Sequence, residues 1–106
     1  MSVNLHVTLA VRAAGLGAFC AVMAEAVTIL EAEGWRLAGA YVQRTGRLNT
    51  VIDLWELDDM NHFDRGLQAF AAHPRFAAIK AVLDETVECE TIVFARPAPY
   101  AHAVVA

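Results

Sequence analysis

From Val3 to Val11 apolar and polar residues alternate. Val3, Leu5, Val7, Leu9 and Val11 point one way, and Asn4, His6, Thr8 and Ala10 the other, which predicts a strand with one apolar face. The period then changes. Leu16, Phe19, Cys20, Met23, Val27 and Leu30 recur at helical spacing and predict a helix from Gly15 to about Glu33, with Gly34 at its C-terminal stop. Trp35 to Arg44 reads as a second strand, and Thr45-Gly46-Arg47 as a short turn into a third. In that third strand Thr50, Ile52 and Leu54 share one face, assigned to the helices. Asn49, Val51, Asp53 and Trp55 share the other, assigned to the uncovered side.

Asp58 or Asp59 can cap a second helix whose buried side is Phe63, Leu67 and Phe70. Pro74 predicts a break or kink at His73, after which Phe76, Ile79, Val82 and Leu83 carry a helical stripe to about Thr86. Val87 to Arg96 is the last strand, with its facing open between two parities. The order β-α-β-β-α-β is the ferredoxin-like pattern: α+β, a four-stranded antiparallel sheet with two helices on one face. The whole chain, 1–106, forms one domain with its core at 3–96 and a tail from Pro97 to Ala106. The tail either lies on a neighbouring subunit or is a loose terminus.

A sheet covered on one side leaves the other side bare. It is expected to hold Asn4, His6 and Thr8, then Leu37, Gly39 and Tyr41, then Asn49, Val51, Asp53 and Trp55. Composition sharpens this point. Of 106 residues, 58% are hydrophobic, against about 45–50% in an average domain. A chain of this length buries roughly 65% of its surface on folding, so the excess points to a second burial event. Two copies pressing their bare faces together would supply it, which predicts a homodimer.

The net charge of −4 and eight scattered Lys and Arg argue against nucleic acid. No continuous apolar run of about 18 residues suggests a membrane span, and no secretory signal is visible, so cytoplasm is the default location. Cys20 and Cys89 do not make a disulfide framework.

The chemistry-bearing candidates sit on the bare face. His6 and Asp53 are expected to share it, with Tyr41, Asn49 and Trp55 around them. A carboxylate beside an imidazole orients the ring and favours its protonated form, giving a base for a proton next to a carbonyl. Tyr41 and Trp55 would wall a planar substrate, and Asn49 or Tyr41 would donate to a developing oxyanion. The structural alternative pairs Asp53 with an arginine of a partner subunit and His6 with a neighbouring strand residue. Asn49, beside a turn, is equally suited to bonding backbone. His62 and His73 lack the spacing of a helical zinc pair, and no metal site is expected. Gly15-Leu16-Gly17 has Cys20 where a dinucleotide fingerprint has its third glycine, so no cofactor is expected either.

The run Gly46-Arg47-Leu48-Asn49, then Leu54-Trp55, then Asp58-Asp59, resembles the NIPSNAP domain. Leu37-Ala38-Gly39 and His73-Pro74-Arg75-Phe76 are similar to flanking segments of the same family. The resemblance spans about Val3 to Arg96. It implies a dimeric α/β barrel in which two sheets face each other around a cavity. Architectural relatives include cofactor-free monooxygenases, isomerases, cyclases and haem-degrading enzymes, and also proteins that only bind ligands. The expected function is therefore binding of a small apolar or planar molecule, with cofactor-free isomerase, cyclase or monooxygenase chemistry through His6. The alternative is a non-enzymatic binding or assembly module.

Overall fold

The computed structural model describes residues 2–101, and the part of the tail holding His102, Val104 and Val105 lies outside them. Four strands, β1 (Val3–Val11), β2 (Arg36–Val42), β3 (Thr50–Leu57) and β4 (Val87–Ala95), form one antiparallel sheet in the order β2-β3-β1-β4. Three helices, α1 (Leu16–Ala32), α2 (Met60–Ala72) and α3 (Phe76–Thr86), complete the ferredoxin-like α+β fold. The second helical region is thus two helices, not one. Pro74 lacks the N–H that a continuous ladder needs, and His73 takes an extended ψ of 141°.

Helix ends follow their sequence signals. At the close of α1 the Gly34 N–H donates to the Glu31 carbonyl at 3.0 Å and the Trp35 N–H to the Leu30 carbonyl at 3.2 Å. That pairing needs a left-handed residue, and Gly34 supplies it with φ 93°. At the start of α2, Asp59 accepts from the His62 N–H at 2.8 Å.

The helical stretch Ala13–Ala32, a 3₁₀ turn (Ala13–Gly15) running into α1, is apolar enough by length and composition to cross a membrane, with mean hydropathy 1.9, and 22% of its most apolar 18 residues are buried. Its buried stripe, Phe19, Val22, Ala26 and Leu30, packs toward the sheet and α3. The exposed side includes Ala18, Ala21, Ala24 and Ala32, which keep mean hydropathy high while presenting little apolar bulk.

Strand facing departs from expectation at β3. Val51 (6% exposed), Asp53 (4%), Trp55 (3%) and Leu57 (0%) point into the core beneath the helices. Thr50, Ile52, Leu54 and Glu56 line the bare face instead. Both parities of β3 carry large apolar residues. The parity that buries an indole and extends to Leu57 removes more apolar area from water, and it carries Asp53 inward with it.

On β2 a bulge between Leu37 and Gly39 changes the facing mid-strand. Leu37 opposes buried Trp55, while Gly39 and Tyr41 oppose Leu54 and Ile52 on the bare face. On β4, Cys89, Thr91 and Val93 share the bare face with Ala10, Thr8 and His6. Glu90, Ile92 and Phe94 face the helix side, opposite Leu9, Val7 and Leu5.

Candidate functional site

A cavity of about 610 Å³ lies between the helix-covered face of the sheet and the three helices. The sequence predicts a cavity between two facing sheets; this one lies within a single chain. Its floor is Leu5, Val7 and Leu9 of β1 with Asp53 and Trp55 of β3. Alternation is the cause: odd positions of both strands point the same way once Val7 is paired with Asp53.

One end is closed by aromatic packing. Trp35 meets Trp55 edge-on at 5.3 Å and stacks on Phe63 at 5.8 Å, and Phe63 meets Phe94 edge-on at 5.2 Å. Trp35 is pinned there because its Nε1–H donates to the His62 carbonyl at 3.1 Å. It fits only because residue 66 is glycine; a Cβ there would overlap the indole. The opposite end opens to solvent. Leu67 of α2, Lys80 and Asp84 of α3, and Glu90 and Ile92 of β4 are lining residues that are also exposed, so the mouth lies between these elements.

Among the described residues Asp53 is the one acidic group deep in this cavity. Burial alone pushes its pKa up from 3.8 to about 6, because removing a charge from water carries a cost that no neighbouring charge offsets. Among the described residues its carboxylate enters no ion pair. It also borders a second recess of about 450 Å³ between α1 and the β2 side of the sheet, as Met23 does. The carboxyl therefore stands at the junction of two apolar spaces. A carboxyl held near neutrality in such surroundings can take up or release a proton close to physiological pH.

The other sequence candidates are dispersed. His6 lies on the bare face opposite Leu54 and Val93, so the sheet separates it from Asp53 and the expected His6–Asp53 pair does not form. Trp55 does share the cavity with Asp53. Tyr41 is 59% exposed on the bare face and lies over Gly39, although its residue borders the second recess. Asn49 belongs to the turn before β3, where it takes φ 61° and its carbonyl accepts from the Val11 N–H at 3.0 Å.

His62 is a residue whose role the sequence reading missed. It is 3% exposed; its Nδ1 accepts from the Asp58 N–H at 3.0 Å and its Nε2 donates to the Glu33 carbonyl at 2.7 Å. A backbone N–H can only donate and a carbonyl can only accept, so these partners select the Nε2–H tautomer. The ring is a clamp joining the end of α1 to the start of α2. Its position three after an N-cap aspartate was the available signal.

Among the described residues no group of three or more His, Cys, Asp or Glu is placed to hold a metal ion.

A ferredoxin-like α+β domain with an apolar cavity under its helices defines the structural class. Within that class the chain matches the NIPSNAP family over residues 7–102, and it belongs to that family. It is similar to an uncharacterized NIPSNAP domain protein from Burkholderia xenovorans, with 26% identity and a TM-score of 0.77, covering 95% of this chain and 98% of that one. It is also similar to a NIPSNAP family protein from Agrobacterium tumefaciens, with 16% identity and a TM-score of 0.84, covering 96% and 98%. An antibiotic biosynthesis monooxygenase shares the fold at 14% identity and a TM-score of 0.71, covering 92% and 99%. No curated protein matches the chain.

Proposed function

We propose that this chain binds a small, mainly apolar molecule in the cavity beneath its helices, with Asp53 as the proton acceptor or donor of a cofactor-free reaction. The observation that carries this reading is a buried carboxyl with its pKa raised to about 6, inside an apolar cavity of about 610 Å³. That volume falls in the usual range of about 300–1,000 Å³ for small-molecule sites. Trp55 and Phe63 supply flat apolar walls, which suits a planar ligand. Proton abstraction next to a carbonyl would start an isomerisation or a cyclisation, and would also give a carbanion able to react with dioxygen. The solved monooxygenase that shares the fold makes this last route reasonable but does not select it.

In the same reading the active form is a homodimer. Tyr41 and Val93, at 59% and 49% exposure, share the bare face with Ile52 and Leu54. A second copy is the partner that buries such a face on both sides at once. His6 then belongs to the subunit contact and not to the chemistry.

Native mass spectrometry of the gently purified full chain tests both parts. The expected result is a dimer carrying one small-molecule adduct per subunit. The adduct should be lost when the mouth is narrowed by Leu67→Trp. A bare monomer would overturn the proposal.

A further inference from the structure

The charges lining the cavity constrain what can enter it. Among the described residues four charged side chains border it: Asp53 in the interior, and Lys80, Asp84 and Glu90 at the mouth. Three carboxylates against one ammonium leave a net charge of −2 when all are ionised. The lone cation is already matched, because Lys80 Nζ donates to Asp84 Oδ2 at 2.6 Å. Among the described residues neither Asp53 nor Glu90 has an ion-pair partner, so their charges act on an arriving ligand. The walls between them are apolar, which screens charge far less than bulk water does. An anionic ligand would meet Glu90 at the entrance and Asp53 at the end of its path.

Asp53 also sets a positive requirement. Among the described residues no hydrogen bond reaches its carboxylate, which lines the cavity. A ligand hydroxyl directed at it supplies a donor, whereas a ligand carboxylate is repelled. Like-charge juxtaposition of this kind is a strong source of discrimination.

We infer that the cavity selects its ligand by charge, admitting an uncharged, mainly apolar molecule that presents a hydrogen-bond donor to Asp53 and turning away the carboxylate of the same shape. The inference rests on the cavity reading above and narrows it to a substrate class.

The test is isothermal titration calorimetry of the full-length protein with 2-naphthol and with 2-naphthoate, near pH 7.5 and at low salt. The two probes share one ring system and differ in the charge of a single substituent. Binding of 2-naphthol about tenfold or more tighter than 2-naphthoate is expected. Glu90→Lys should shift the affinity ratio toward 2-naphthoate by about fivefold or more, since Glu90 is an exposed side chain at the entrance that an anion must pass. Equal or tighter binding of 2-naphthoate by the unaltered protein overturns the charge selection and leaves the cavity reading standing. An affinity ratio that ignores Glu90→Lys also overturns it. Failure of both probes to bind overturns the charge selection together with the ligand-binding reading.

Discussion

Asp53 and His6 stand on opposite faces of one sheet: Asp53 pairs with Val7 beneath the helices, and His6 pairs with Leu54 on the bare side. They are a short distance apart along the sequence register, yet no side-chain motion brings them together without turning a strand over. This separates two substitutions that sequence alone would group. His6→Ala should leave 2-naphthol affinity within about twofold, while Asp53→Leu should weaken it by about tenfold or more through loss of the buried acceptor. Calorimetry on the two variants decides it; an equal loss in both would place His6 in the ligand path.

Asp53 makes the protein's stability depend on pH in a specific direction. Its folded pKa of about 6 lies above its ordinary 3.8, so the folded state holds the proton more tightly than the unfolded chain. The contribution favouring the fold is complete below about pH 3.8 and is lost as pH rises through 6. At about 1.4 kcal/mol for each pH unit of separation, the full effect is on the order of 2–3 kcal/mol. Asp53→Asn keeps the shape and removes the titration. It should match the unaltered protein at pH 4 and be the more stable of the two at pH 8. Thermal melts of both proteins across that range check this, and a constant difference in Tm would refute the buried-carboxyl assignment.

Much of the fold was legible because most segments offered one good choice. β1 carries bulky residues on only one parity, and Gly34 and Pro74 mark helix ends by backbone chemistry that no tertiary contact reverses. The candidate site was legible in part. Asp53 and Trp55 were correctly put on one face, because alternation is fixed by the backbone. Which face they occupy was not readable, because Ile52 and Leu54 offer nearly as much apolar area as Val51 and Trp55. The polar side chain of Asp53 therefore points, by sequence alone, to the bare side. That guide fails where a carboxyl is held inside an apolar cavity, which is what makes Asp53 a functional candidate. The facing of β2 was hidden for another reason: the bulge between Leu37 and Gly39 switches parity within the strand.

Gly66 tests how the aromatic end of the cavity is held. In an exposed helix Ala would be favoured over Gly by about 1 kcal/mol. Here a Cβ would collide with the Trp35 indole, whose Nε1–H is bonded to the His62 carbonyl. Gly66→Ala should therefore destabilise by about 1–3 kcal/mol, the range for overpacking. It should also shift tryptophan emission. Chemical denaturation followed by fluorescence measures both, and a stabilised variant would mean the indole has room to move.

Asn49 separates a turn role from a catalytic one. Its φ of 61° is left-handed, as is that of Gly46 at 72°, so the first and last residues of the Gly-Arg-Leu-Asn run suit the backbone path between β2 and β3. The Asn49 carbonyl ties that turn to β1 through the Val11 N–H. The turn also reaches β4, since Arg47 Nη2 donates to Glu88 Oε1 at 3.0 Å although β3 and β1 lie between them in the sheet. Glycine can hold this conformation and alanine resists it. Asn49→Gly should keep stability within about 0.5 kcal/mol, whereas Asn49→Ala should lose about 1 kcal/mol. An oxyanion donor would give a different pattern, because both substitutions remove the amide and would abolish turnover equally. Equal stability of the two variants in denaturant, with equal loss of activity once a substrate is in hand, would move Asn49 from the turn to the chemistry.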